Sequence, residues 1–226
     1  PTHLDFWYTR RIADAIDTQA PATDIDVVAI GGGALTLPRW LATIRPDADQ
    51  IVLEIDPELI DVIDDEFGLP PAAIITGDGR QAVRRMADES ADVVVGDAFG
   101  SRSVPWHLTT EEFLADVDRV LRSDGIYVVN VIDGGSESFL RAKAATLLTT
   151  FDRVAVIRSA GVVDGAIGNS VIVAGDERLD VDAWDAARRA VGDDGELVAD
   201  VDAWVGDAMI LTDDFAPVDQ LILGTR

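Results

Sequence analysis

Asp26-Val27-Val28-Ala29-Ile30-Gly31-Gly32-Gly33 is a run of apolar residues that stops on three glycines, and three later segments repeat its plan. They are Ile51-Val52-Leu53-Glu54-Ile55-Asp56, Ala73-Ile74-Ile75-Thr76-Gly77-Asp78-Gly79 and Asp92-Val93-Val94-Val95-Gly96-Asp97. Nearly continuous apolar strands separated by helical patterns read as parallel strands covered on both faces. In such a sheet all strand C-termini share one rim, and ligands bind in the crevice outside it. Gly31, Glu54, Asp78 and Asp97 are therefore expected around a single crevice.

The segments between these strands carry helix signals. Pro38 to Ile44 follows the glycine turn as the first crossover helix. Asp56 caps the next one, Pro57 fits its first position, and Leu59, Ile60, Ile63 and Phe67 supply an apolar face before Gly68 and Pro70-Pro71 stop it. Gly79 to Met86 is a short helix, and a long loop runs from Ala98 to Leu108. Thr109 and Glu112 form a capping box for a helix whose stripe is Phe113, Val117, Val120 and Leu121, and Gly125 breaks it. Ile126 to Ile132 is a fifth strand and Phe139 to Leu148 a helix. Arg153 to Ile157 and Asn169 to Ala174 form strands six and seven, whose short connection, Ser159 to Gly168, suits an antiparallel hairpin. A further helix is expected upstream over Leu4 to Ile16, separated from strand one by Pro21, and another over Val181 to Val191. Leu211 to Pro217 reads as a loop folding back over the crevice. The fold class is thus α/β, a doubly wound Rossmann-like sheet of about seven strands, mostly parallel, with residues 1–226 forming one nucleoside-cofactor-binding domain.

Composition narrows the function classes. The 226 residues include 48% hydrophobic ones, enough for a packed core, and no apolar run reaches the roughly 20 residues that span a bilayer. Eighteen basic residues against 42 acidic ones give a net charge of −24, which repels nucleic acid phosphate and attracts cationic solutes. Such an Asp-rich, Lys-poor surface also commonly reflects genome composition or salt adaptation. Lys143 is the sole lysine. With no cysteine and two histidines, thiolate metal sites and disulfides are ruled out, only a carboxylate-based metal site is conceivable, and no metal is expected. A cytoplasmic location is the default, with neither membrane nor nucleic acid among the expected partners.

The strand ends carry the candidate chemistry. Thr36 stands where the third glycine of a G-x-G-x-x-G fingerprint belongs, which weakens the case for a dinucleotide. Glu54 lies 23 residues after Gly31, a distance at which an acidic side chain can accept ribose hydroxyls. Asp78, between two glycines, either caps an Asx turn or accepts from an adenine amino group. Asp97 follows an apolar strand into a loop, where partial burial raises a carboxyl pKa toward a general base's working range. His107 is a packed lid residue before it is a proton shuttle, and Asp213-Asp214 reads as a solvated turn ahead of a cation or metal site.

These motifs resemble the spermidine synthase family, the polyamine aminopropyltransferases, whose fold is that of class I S-adenosylmethionine-dependent methyltransferases. The likeness runs from about Thr23 to Asn130, with an echo in Leu211 to Pro217. Gly31-Gly32-Gly33 looks like the family's glycine turn, Val52-Leu53-Glu54-Ile55-Asp56 like its ribose-binding strand, Gly77-Asp78-Gly79 like its adenine-side turn, and Asp97 like its catalytic aspartate. Ser103-Val104-Pro105-Trp106-His107-Leu108-Thr109-Thr110 resembles its gating loop. The resemblance implies decarboxylated S-adenosylmethionine as co-substrate, or S-adenosylmethionine itself, and a di- or polyamine acceptor. Asp97 would act as base, Gly31, Gly32, Gly33, Glu54, Asp78 and Gly79 would hold the nucleoside, and a homodimer is compatible. Ala34 and Gly100 stand where the family usually carries carboxylates toward the cofactor amine and the acceptor. Tyr8 matches a tyrosine of the family's N-terminal region, and the β-rich domain of that region is expected to be absent. A methyltransferase and a non-catalytic nucleoside-binding homologue are the alternatives.

Overall fold

The computed structural model describes residues 3–20, 22–100, 104–160, 167–177 and 179–223. Pro21, Ser103 and the centre of the Ser159 to Gly168 connection lie outside them. An eight-stranded sheet in the order β3-β2-β1-β4-β5-β7-β6-β8 organises the molecule. Its strands are β1 Asp26–Ile30, β2 Asp49–Glu54, β3 Ala73–Thr76, β4 Ala91–Gly96, β5 Leu121–Gly134, β6 Arg153–Arg158, β7 Ile167–Gly175 and β8 Glu196–Leu197. The first five pair in parallel, whereas β7 joins β5 and β6 antiparallel. The sheet therefore has one strand more than expected. The addition, β8, pairs with β6 through only two residue pairs, too short to leave a hydrophobic pattern in sequence.

Helices cover both faces, and the alternation of side chains along each strand decides which helix meets which residue. On one face Ile12 and Ile16 of α1 (Trp7–Gln19), Trp40 and Leu41 of α2 (Thr36–Ile44) and Trp184 of α7 (Val181–Ala190) pack on Val27, Val93, Val95 and Val128. Ile60 and Ile63 of α3 (Pro57–Phe67) pack with Ala29 and Val52. The other face receives Val83 of α4 (Gly79–Val83), Phe113 and Val117 of α5 (Glu111–Val120) and Phe139 of α6 (Ser138–Leu147) against Val28, Val94, Tyr127 and Val129. Two short helices, α8 (Val201–Val205) and α9 (Val218–Leu223), complete that layer. Among the described residues no helix is long and apolar enough to cross a membrane.

Local chemistry explains the boundaries. Asp56 caps α3 by accepting from Glu58 and Leu59 amides, as its position before Pro57 predicts. The cap of α5 is Thr110, one residue later than expected. Thr109 turns its hydroxyl back to the Trp106 carbonyl at 2.6 Å, and Glu112 accepts from the Asp213 amide instead of closing a capping box. Helix α5 ends at Val120, so Leu121 already belongs to β5 and Gly125 lies inside that strand, beside a register shift between Ala91 and Val93. Helix α1 runs from Trp7 to Gln19, later than the apolar spacing suggested, and closes on the Ile16 carbonyl.

The sheet reverses its winding between β1 and β4, and this switch point places the ligand crevice. Gly31 has φ +96°, and a Cβ there would stand 2.5 Å from the Asp97 carbonyl oxygen on the neighbouring strand. Only glycine allows the two strand ends to approach this closely. Gly31→Ala is expected to lower stability by at least ~2 kcal/mol, from backbone strain and displacement of the Asp97 peptide together. Urea unfolding of the two proteins measures it.

Candidate active site

A cavity of about 490 Å³ opens at the C-terminal rim of β1, β2, β3 and β4. Gly31, Gly33, Glu54, Asp78, Gly79 and Asp97 all line it, together with Tyr8, Phe99, Gly100, Pro105 and His107. The strand ends read from sequence are thus brought together. A second depression of about 360 Å³ lies at the opposite edge of the sheet, among Asp26, Asp49 and Pro71, and shares none of these residues.

Glu54 is buried, and its carboxylate joins two turns. Oε2 accepts from the Gly32 and Gly33 amides at 2.7 and 3.2 Å, and Oε1 accepts from the Asp56 amide at 3.0 Å. Gly32 therefore directs its N–H at Glu54 and is not itself part of the cavity lining. This arrangement has a chemical consequence. Amides at the end of a glycine turn would otherwise attract a phosphate, but here a fixed carboxylate already holds them and its charge repels one. A ligand approaching this turn meets an acceptor rather than an anion hole, and roughly four lone-pair directions on a carboxylate leave about one for a hydroxyl donor.

Asp78 both caps and pairs. Oδ1 accepts from the Gln81 amide at 2.8 Å, starting α4, while Oδ2 lies 3.1 Å from Nε2 of His107. The cap is thus present, and the second oxygen is engaged by the His107 ring. His107 belongs to a 3-10 turn, Trp106–Leu108, inside the long loop. Sequence placed it in a lid, and the structure makes it the wall opposite Asp78, with the exposed Trp106 ring edge-on to it at 5.8 Å.

Asp97 follows β4 directly and is half-buried. Asn130, buried in β5 beside it, donates from Nδ2 to Oδ1 at 2.9 Å, and Asp97 lines the cavity. Burial pushes the Asp97 carboxyl up to about 7, against the opposing effect of the Asn130 hydrogen bond. Tyr8, from α1, faces this group. Burial and then the Asp97 charge push its phenol up to about 12, so it remains a hydrogen-bond donor at neutral pH.

Asn130 was not singled out as a site residue, because an Asn within an apolar strand has no periodic signal. Among the described residues its Oδ1 is buried without a partner, a cost of about 1–3 kcal/mol for an acceptor whose amide reaches Asp97. Two other expectations change. Asp213 is no free cation site: it accepts two hydrogen bonds from Arg80 at 2.7 Å each and one from the Thr110 hydroxyl at 2.8 Å. The Leu211 to Pro217 loop accordingly docks beside Thr110 and Arg80 and does not line the cavity. Among the described residues, no group of three or more His, Asp or Glu side chains is placed to hold a metal.

Comparison with known proteins follows from this geometry. The fold is class I methyltransferase-like: human methyltransferase-like protein 13, solved with SAH, superposes with a TM-score of 0.64 at 18% identity over 81% of this chain and 91% of that one. Curated relatives are more specific. A polyamine aminopropyltransferase from Vibrio vulnificus is 31% identical over 46% of this chain and 36% of its own length, and one from Chromobacterium violaceum is 28% identical over 84% and 70%. A probable spermidine synthase from Corynebacterium glutamicum superposes with a TM-score of 0.87 at 25% identity, covering 96% of this chain and 84% of that one. No protein-family model matches. The chain is thus similar in sequence and in structure to the polyamine aminopropyltransferases, and it spans from about a third to half of the length of the first curated relatives it matches.

The raised carboxyl of Asp97 has a stability signature. Its pKa is 3.8 ordinarily and about 7 in the fold, so between those values the native protein holds a proton that the unfolded chain has released. Stability therefore falls as pH rises through this window and stays low above it. Asp97→Asn is expected to stabilise the protein at pH 8, by up to ~4 kcal/mol, and to leave it nearly unchanged at pH 4. Denaturant unfolding at the two pH values checks this.

Proposed function

We propose that this chain is a spermidine synthase-like aminopropyltransferase, moving an aminopropyl group from decarboxylated S-adenosylmethionine to a di- or polyamine. The observation that carries the reading is Asp97, a half-buried carboxylate held by Asn130 at the switch point of the sheet, lining the same cavity as Glu54 and Asp78. The similarity to polyamine aminopropyltransferases supports the same assignment. So does the engaged glycine turn. A nucleoside without a phosphate suits a site whose Gly32 and Gly33 amides are already held by a carboxylate.

In this reading Gly31 and Gly33 let the backbone approach the nucleoside while Gly32 anchors the turn on Glu54, Glu54 accepts from the ribose, and Asp78 with Gly79 lies at the adenine. The sulfonium supplies an activated carbon. An alkylamine has a pKa near ~10 and arrives protonated, so the chain must take a proton before the nitrogen can attack. Asp97 accepts it. Enclosure narrows the mismatch between the two groups, because desolvation raises a carboxyl and lowers an ammonium. The nitrogen lone pair then forms the new C–N bond as the C–S bond breaks, and that electron pair goes to sulfur, leaving neutral methylthioadenosine. Tyr8, close enough to feel the Asp97 charge, and Phe99 line the same cavity and would exclude water from the attacking nitrogen.

Purified protein incubated with decarboxylated S-adenosylmethionine and a panel of amines is expected to release methylthioadenosine. Asp97→Asn should reduce the rate about 10²-fold to 10⁴-fold, the usual contribution of a positioned base. No methylthioadenosine from any amine sinks the reading, and transfer of a methyl group from S-adenosylmethionine would install the alternative that the shared fold allows.

The pH dependence has a defined direction. Activity should rise as Asp97 loses its proton and level off above about 7. Asn130→Ala removes the hydrogen bond that favours the carboxylate, so the midpoint of the profile should move to higher pH. Initial rates across pH 5.5 to 9.5 measure both.

A further inference from the structure

Lys143 sits in the middle of α6 and is only 1% exposed, although lysine is almost never fully buried without a partner. Its Nζ lies 3.4 Å from the carbonyl oxygen of Leu108 and 3.4 Å from that of Thr109, and 5.7 Å from the centre of the Tyr127 ring. Arg80, itself buried, donates from Nη1 to the preceding carbonyl, His107, at 3.2 Å. Two cationic side chains from opposite sequence directions thus serve three successive carbonyls. These oxygens belong to the end of the 3-10 turn, where carbonyls have no intrahelical donor and carry partial negative charge. Among the described residues no other donor reaches the Leu108 and Thr109 oxygens.

This turn carries His107, whose ring meets Asp78 across the cavity. We propose that Lys143 is a positioning residue for the ligand cavity: from behind the wall it fixes the His107 turn and, through it, the Asp78–His107 pair. The inference rests on the nucleoside reading of that cavity. Burial supports it, since desolvation lowers the Lys143 amine to about 7. In either protonation state the amine keeps at least two N–H donors for the two carbonyls, and its lowered proton affinity lessens the need for a carboxylate beside it. If Lys143 only filled space, methionine would serve better, because it has similar length and no polar atom to desolvate.

Lys143→Met and Lys143→Gln separate the two roles. Thermal unfolding, calorimetry with methylthioadenosine, and hydrogen exchange of the ligand-free protein provide the readouts. The Met variant is expected to melt near the wild-type temperature, because relief of the buried amine offsets two carbonyls left without a donor, yet to bind methylthioadenosine about tenfold more weakly and to exchange the Leu108 and Thr109 amides at least tenfold faster. The Gln variant keeps an N–H donor and should recover affinity to within about threefold of wild type. Affinity and protection lost in the Met variant and recovered in the Gln variant is the result a space-filling role does not produce. Wild-type affinity and unchanged exchange in the Met variant would overturn the proposal. Should that variant fail to fold, the Gln variant decides: exchange at Leu108 and Thr109 raised tenfold despite its donor overturns it, and near-wild-type exchange with retained affinity upholds it. Wild-type protein that fails to bind methylthioadenosine overturns the nucleoside reading alone, and the exchange comparison still judges Lys143.

Discussion

One carboxylate joins the turn after β1 to the turn after β2. Glu54 accepts from Gly32, Gly33 and Asp56, so the loop that must approach a ligand is held by a charged acceptor rather than by packing. Hydrogen bonds to an ionised acceptor are among the stronger ones in a fold, and burial of Glu54 removes competing water. The cavity depends on this joint. With the glycine turn fixed from below, Gly31 can lie against the Asp97 peptide, and the gap between β1 and β4 keeps its width.

Around that floor, the walls are assembled from isolated buried cations. Arg80 reaches both Asp213 and the His107 carbonyl, which ties the C-terminal Leu211 to Pro217 segment to the cavity wall without placing it over the opening. On the far side of the sheet Arg11 makes a similar lock, donating to both oxygens of Asp193 at 2.6 and 2.5 Å and holding the end of α7 against α1. A chain with a net charge of −24 has few cations to spend, and the buried ones sit where separate segments meet. Breaking such a pair leaves an uncompensated buried charge, so these contacts resist local opening more than surface ion pairs do.

The parallel strands and most helices were legible because their causes are local. Continuous Val and Ile runs mark β1, β2 and β4, Asp56-Pro57 marks the start of α3, and Gly68 its end. Where two adjacent residues could do the same job, local reading failed. Thr109 and Thr110 are equally good caps in isolation, and the Trp106 carbonyl, which takes the Thr109 hydroxyl, decided between them. Strand β8 and helices α8 and α9 are too short for periodicity to register, and exist because β6 and α6 present surfaces for them.

By itself the sequence determined the class of fold and the residues at the strand ends, because apolar runs, glycine turns and caps act within a few residues. It determined as well that Lys143 is the chain's single lysine, with no indication of where that lysine points. The tertiary structure alone decided the partnerships: Glu54 with the Gly32 and Gly33 amides, Asp78 with His107, Asn130 with Asp97, and Lys143 with the carbonyls of Leu108 and Thr109. Each joins residues 20 or more positions apart, so it depends on strand order and helix placement, which no local pattern encodes. The proton affinity of Asp97 follows the same rule, since it comes from burial that exists only once the sheet has closed around it.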